Sequence, residues 1–446
     1  MFVTLFDAAW ELIPVKYDLA DPATSRPTRP SDPLTDTDRS LSIDDRGSNL
    51  RPEIELLLKC AGILRSRQVE AVINRLVQSQ LDWPYLIATA SRHGLLPLLS
   101  YHLQALGLAP PSKTMGAQLR RYFILNARRN LFLSTELLRL MELFATHGIR
   151  ALAFKGPLLA MVAYGSVSLR EFSDLDVLIA QEDVMHAKEL LRCREYYPHV
   201  PMSEVQEELH LHSGCERVFV RADKMAALDL HWNFAVKGFS FSPDLAGIWT
   251  RLEPLFFAGQ TVPTLSRSDM LLLLCVHGAK HHWNRLEWIS SVAELLRRSP
   301  QIDWDAVMQE ARRSGAERML LLGLLLAKDL SHVFLPASVS EQIKAQPVVD
   351  RLARDIQCEL FRREELSVDA AYKLAFLLQT KERLRDKVHY GYYMVRLAIK
   401  PTSRDRSLMP LPYFLRFFYY FVRPFRLVHD YGMAPLFRFI GRLKSF

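Results

Sequence analysis

Apolar residues recur at three- and four-residue spacing along most of the chain. The stretches "RPEIELLLKCAGIL" (51–64) and "VEAVINRLVQSQL" (69–81) carry the pattern, as do 83–107 and 115–146. That periodicity lines apolar side chains along one helix face, so 51–148 reads as a helical region, and Gly148 after the longest run reads as a helix stop. No period typical of helical repeats stands out. The texture changes at 149. "IRALAFKG" is a short apolar run ending in Lys155–Gly156, and "PLLAMVAYG" is framed as a short helix by Pro157 in its first turn and Gly165 past its end. "DLDVLIA" reads as a buried strand, and "QEDVMHAKELLRCR" as a helix whose acidic start suits the positive end of its dipole. "CERVFVRA" and "MAALDLHWNF" are two further strands, with Asp223–Lys224 between them as a hairpin turn. Strand, helix, strand, helix, strand, strand predicts a compact α/β module over 149–240. From 266 to about 385 the helical spacing returns.

The other stretches divide the chain. Residues 20–49, "ADPATSRPTRPSDPLTDTDRSLSIDDRGSN", are rich in Pro, Ser, Thr and Asp. Such a segment has too little apolar surface to offset its ordering entropy, which predicts a disordered linker. The expected division is an N-terminal arm (1–19), the linker (20–50), the helical region (51–148), the α/β module (149–240), a C-terminal helical domain (241–400) and a tail (401–446). In the tail, "YFLRFFYYFVRPFRLV" mixes Arg416, Arg423 and Arg426 with aromatics. Residues 411–428 suit docking on the body of the protein, or a peripheral membrane or partner contact. Pro424 argues against one long interfacial helix.

Composition narrows the classes. The 446 residues are 49% hydrophobic and 24% charged, ordinary for a folded soluble protein. The net charge of +8 is spread along the chain; it suits an anionic substrate such as a nucleotide and gives nucleic-acid binding little support. Five cysteines, far apart and without a CxxC pair, argue against a disulfide framework and a zinc–thiolate site. They point to a reducing, cytoplasmic compartment. The first residues carry Asp7 and Glu11 and no basic leader, a poor signal peptide. Apolar runs such as "MLLLGLLLA" (319–327) fall short of the roughly 20 residues a membrane span needs. There is no GxxxxGK[ST], no GxGxxG after a strand and no GxSxG, so P-loop, Rossmann and serine-hydrolase chemistry have no support.

The chemistry centres on "LREFSDLDVLIA" (169–180). Asp174 and Asp176, two apart on a strand, face the same side of a sheet, and Asp229 in "ALDLHW" occupies a similar place in a second strand. Carboxylates converging from neighbouring strands repel unless cations lie between them, and hard divalent ions, Mg²⁺ or Mn²⁺, are the expected cofactors. Two such ions can activate an attacking oxygen and stabilise a leaving phosphate oxygen. Lys155 and Gly156, where the first strand meets its helix, would face the same pocket: glycine lets a phosphate approach the backbone, and lysine supplies charge. A lone DxD is more often a turn, a cap or a solvated face. The conjunction with strand–Lys–Gly–helix, Arg170 and a third aspartate carries the argument.

Histidines supply weaker candidates. His277 and His281 share a helix face, but no HExxH glutamate accompanies them, so packing is favoured over zinc. His231 lies on the Asp229 strand face, suited either to orienting a ligand or to a core hydrogen bond. "VHGAKHHWNRLEW" offers Lys280, His281, Trp283 and Arg285 as a polar and aromatic wall for an acceptor; the alternative is a solvated helix face.

"FKGPLLAMVAYGSVSLREFSDLDVLIAQEDVMHAKELL", followed by "LDLHWNF", resembles the uncharacterised nucleotidyltransferase family of the polymerase-β-like nucleotidyltransferase superfamily. "RPEIELLLKCAG", "VHGAKHHWNRLEWISSVAELLRR" and "LMPLPYFLRFFYYFVRPFRLVHDYG" extend the likeness over roughly 51–435. The resemblance implies an α+β fold: a small mixed-sheet nucleotidyltransferase module embedded between N- and C-terminal helical regions. It implies a transfer of nucleoside monophosphate from an NTP, ATP first, to an acceptor hydroxyl with release of pyrophosphate. Asp174, Asp176 and Asp229 would bind metal, Asp229 taking the acceptor proton, while Lys155, Gly156 and Arg170 would hold phosphates. Lys155–Gly156 stands where most of the superfamily has Gly-Ser, and Ser291 where an aspartate is expected. A small molecule or protein is the expected acceptor over nucleic acid. The competing reading is a non-catalytic nucleotide- or partner-binding protein on the same fold. Asp176→Asn is expected to abolish transfer while leaving the metal-free fold as stable or more so, by relieving repulsion.

Overall fold

The computed structural model describes residues 50–63, 66–362 and 370–400, with Leu415, Phe418, Tyr419 and Arg423. The expected arm, the linker up to residue 49 and nearly all of the tail lie outside the described residues. Residues 50–361 and 376–390 belong to one compact unit; 370–375, 391–400 and the four isolated residues belong to another. The site lies in the first.

The N-terminal helices are α1 (Pro52–Cys60), α2 (Arg67–Val77), α3 (Trp83–Arg92), α4 (Leu96–Ala105) and α5 (Lys113–Thr146). Their starts are marked by residues that suit helix N-termini. Proline sits in the first turn of α1, α3 and α4, and the side chains of Ser66, Asp82 and Ser112 each accept a backbone N–H three residues on. The 34-residue α5 ends two residues before Gly148, which has φ +75°.

Then comes the sheet. Strand β1 (Ala151–Ala153) leads into the short α6 (Gly156–Leu159), which widens into a π turn (Ala160–Tyr164) and stops at Gly165, φ +71°. There follow β2 (Leu175–Ile179), α7 (Val184–Cys193), β3 (Tyr196–Pro198), α8 (Glu204–Ser213), β4 (Glu216–Arg221) and β5 (Ala227–His231). The sheet order is β1-β2-β5-β4-β3. β2 and β5 run parallel and every other pair antiparallel, so the sheet is mixed.

Strand alternation separates the two faces. Leu175, Val177, Ile179, Leu228, Leu230 and Phe219 point into one core with Leu133, Leu137, Leu140 and Phe144 of α5 and Val184, Ala187 and Leu191 of α7. The three- and four-residue spacing on α5 meets the two-residue spacing on the strands. The residues between them, Asp176, Asp229, His231 and Glu216, are left to the opposite face.

The rest of the unit is again mostly helical. After α9 (Leu245–Thr250) and a hairpin of β6 (Glu253–Phe257) and β7 (Gln260–Thr264) come α10 (Arg267–Lys280), α11 (Leu286–Arg298), α12 (Trp304–Ser314), α13 (Glu317–Ser331), α14 (Ala337–Lys344) and α15 (Pro347–Leu360). Two further helices, α16 (Ala370–Gln379) and α17 (Leu384–Ile399), follow. All five cysteines are free. Among the described residues no helix is long and apolar enough to cross a membrane.

Candidate active site

The site is built on two parallel neighbours. In the β2–β5 register Asp176 stands opposite Asp229, and Leu178 opposite His231. In the β5–β4 register Glu216 stands opposite His231 and Val218 opposite Asp229. Partners in register share a face, so three acids and one imidazole occupy adjacent rows of one sheet surface. Asp174 precedes β2 in a bend, half-buried, and joins the cluster through its field on Asp229 and Lys155.

Two carboxylates of the same type are shifted in opposite directions. Lys155 donates from Nζ to Asp176 Oδ1 at 2.8 Å, and His231 Nε2 lies 3.3 Å from the same oxygen. Burial works to raise the Asp176 pKa, but Lys155 and His231 outweigh it and hold the carboxyl well below the usual range. For Asp229 the pull of Lys155 is outweighed. Burial, then repulsion from Asp174, Asp176 and Glu216, push its carboxyl well above the usual value. Its Oδ1 is buried and accepts no hydrogen bond. For Glu216, burial is again outweighed, here by His231, Lys280 and Lys155, which keep it low.

Gly156 fits its predicted place. Its φ is +50°, a conformation L side chains rarely adopt, and a Cβ there would stand 3.3 Å from the Asp174 carbonyl oxygen. Glycine thus lets the turn after β1 lie directly against the loop that delivers Asp174. That loop is held from the far side by α5. Asn130, fully buried, donates from Nδ2 to the carbonyls of Val167 and Arg170, both at 2.7 Å. Asn126 donates to Ser168 O at 3.1 Å. Neither asparagine was singled out from the sequence, although "NARRN" sets two amides four apart on a largely apolar helix.

Arg170, expected on a phosphate, is buried, with Nε unpaired. Its charge acts on Tyr164 and Glu171. Tyr164 in turn shares a 3.2 Å hydrogen bond with Ser291, the position where an aspartate was expected.

The expected acceptor wall is not one surface: its four residues have four different settings. Lys280, half-buried at the end of α10, lies near enough to lower the pKa of Glu216. Ring contacts pack His281 against His277 and Trp288, centroids 4.6 and 5.3 Å away. Arg285 lies 3.7 Å from Glu171 and 3.6 Å from Glu287, beside a Glu171 carboxyl that burial and then Glu287 push up to about 7. Trp283 is fully buried, so it cannot line an open wall. Its ring lies so close over Gly278 and Gly323 that a Cβ would meet it at 2.5 and 2.9 Å. A large apolar ring gains more from core burial than from an open cleft.

The donor set fits a divalent cation. One ligand atom each from Asp176, Asp229 and His231 lie within 4.8 Å of one another, and the orphaned Asp229 Oδ1 is the acceptor a cation would satisfy. A small mixed sheet flanked by helices, with acids paired across adjacent strands beside a Lys-Gly turn, defines a nucleotidyltransferase module. The chain belongs to the uncharacterised nucleotidyltransferase family, which matches residues 79–332, more than half its length. No curated protein and no solved structure matches the chain. The family supports nucleotidyl transfer as the general activity, with an NTP as substrate.

Proposed function

We propose that the protein transfers a nucleoside monophosphate from an NTP, ATP first, to the hydroxyl of a small-molecule or protein acceptor. The acceptor oxygen bonds to the α-phosphorus, the bond to the leaving pyrophosphate oxygen breaks, and the hydroxyl proton passes to a base. Asp174, Asp176 and Asp229 would hold divalent ions, Mg²⁺ or Mn²⁺, which when bound supply Lewis-acid stabilisation of the attacking and leaving oxygens. Asp229 is the base: its buried Oδ1 accepts no hydrogen bond from the protein and so is open to the acceptor proton. Lys155 and the Gly156 backbone take the triphosphate. Lys280 stands on the acceptor side, while the buried Arg170 acts by its charge on Tyr164 and Glu171.

The observation that carries this reading is the register pairing of Asp176 with Asp229 beside Lys155. Calorimetry with ATP, GTP, CTP and UTP in Mg²⁺ and in Mn²⁺ tests it, followed by incubation of labelled NTPs with cell extract to identify what becomes labelled. Nucleotide binding with transfer of label supports the reading. Binding without any transfer marks a non-catalytic module, and a folded protein that binds no nucleotide overturns both.

A further inference from the structure

His231 brings a nitrogen to the face that carries Asp176, Asp229 and Glu216. Its side chain is 5% exposed, and its two ring nitrogens meet two different acids. Nε2 faces Asp176 Oδ1 at 3.3 Å, inside the cluster. Nδ1 faces Glu216 Oε2 at 3.2 Å, within ion-pair distance but off the hydrogen-bond line. Phe154 packs edge-on against the ring, centroids 5.1 Å apart at 73°, and so holds its plane. A metal-bound histidine is usually arranged in this way: one nitrogen binds the ion, and the other N–H is directed to a carboxylate that fixes the ring and raises its basicity. A histidine present only to support Asp176 would have no need of a second, half-buried acid behind it. The orphaned Asp229 Oδ1 supplies a further donor, and one atom from each of the three side chains falls within the 4.8 Å cluster.

We propose that His231 is a direct metal ligand, making the site a mixed carboxylate–imidazole centre that selects a first-row transition ion over magnesium, with Glu216 orienting the imidazole. The inference deepens the cation-site part of the proposed function and rests on it. Magnesium favours an all-oxygen octahedron and gives up water reluctantly, whereas imidazole nitrogen suits transition ions. Carboxylate oxygens alone suit magnesium and manganese alike.

The test is metal binding to the nucleotide-free, full-length protein with Mn²⁺ as probe, read by titration and by pulsed electron paramagnetic resonance for nitrogen coupling. Wild type is expected to show the coupling of a directly bound imidazole and to bind Mn²⁺ more tightly than Mg²⁺. His231→Asn is expected to lose the coupling and most of that preference. Glu216→Gln keeps the coupling but weakens Mn²⁺ binding by about tenfold or more, the usual effect of removing a ligand's hydrogen-bond partner. Manganese bound without nitrogen coupling overturns the proposal, as does equal affinity for the two ions or no metal binding at all. Should His231→Asn fail to fold, the wild-type spectrum decides alone. Magnesium-supported transfer, with bound manganese showing no nitrogen coupling, would remove the ligand and leave the reaction standing. Coupled manganese with no nucleotide turned over would do the reverse.

Discussion

Asp176 and Asp229 stand opposite each other in register, yet removing their charges should have opposite effects on stability. Asp176 is the shared acceptor of Lys155 and His231. Asp176→Asn therefore leaves a mostly buried ammonium without its counter-ion, and the metal-free protein should lose about 1–3 kcal/mol. Asp229 is repelled on three sides and pairs with nothing through Oδ1, so Asp229→Asn should leave the melting temperature unchanged or raise it. Both variants should abolish transfer. Thermal melts in chelator separate them, and a fall for Asp229→Asn would mean that its charge is compensated. The sequence suggests the stabilising effect for Asp176, because two carboxylates in an apolar run imply repulsion. That Lys155 reaches across from the end of β1 is a long-range fact which residue spacing does not contain.

At the scale of elements, period two was enough to place Asp176 and Asp229 on strands and on one side of them. It could not say that β2 and β5 are parallel neighbours, nor which rows meet, because pairing is decided by the whole sheet. The asparagines of α5 were hidden for a related reason: an amide on a helix becomes informative only when the loop it binds is known. Asn130→Ala should cost about 1–3 kcal/mol, since it removes the two hydrogen bonds from a buried amide to the Val167 and Arg170 carbonyls. It should also lower the transfer rate by loosening the segment that presents Asp174, and a full-rate variant with only a lower melting temperature would confine Asn130 to stability. Packing around Trp283 makes a second case. Alanine is ordinarily better than glycine inside a helix by about 1 kcal/mol. At Gly278 the new methyl would meet the indole at 2.5 Å, so Gly278→Ala should instead destabilise by about 1–3 kcal/mol, as overpacked cores do. Denaturant midpoints give the sign directly.

For the whole unit, the layout of helices, α/β module and helices was readable from periodicity alone, because each region repeats its own spacing many times. Single buried charges were not readable. Lys381 is fully buried; its Nζ lies 3.8 Å above the Phe239 ring and donates to the Phe239 carbonyl. Burial pushes its ammonium down to about 7, against the pull of Glu382 and Asp386. Unfolded lysine titrates near 10.4, roughly, so between those values the unfolded chain holds a proton that the folded chain lacks. Stability from this group is therefore lowest below about 7 and rises with pH. The difference between wild type and Lys381→Met, from urea unfolding at pH 7 to 10, should shift toward wild type by up to about 1.4 kcal/mol per pH unit. A flat difference would mean that the amine stays charged against the ring.

The 34 residues of α5 have a consequence for how this chain can change over time. Asn126 and Asn130 grip the loop before Asp174, while Leu133, Leu137, Leu140 and Phe144 grip the sheet. Each added helical residue turns everything beyond it by about 100°. One insertion between the two groups would rotate the amides out of phase with the leucines, and no local adjustment could satisfy both. Point changes on the exposed face, at Arg120, Arg121 or Arg128, carry no such penalty. The helix should therefore vary freely in its outward letters and hardly at all in its count, and gaps in its relatives should fall before Ser112 or after Gly148.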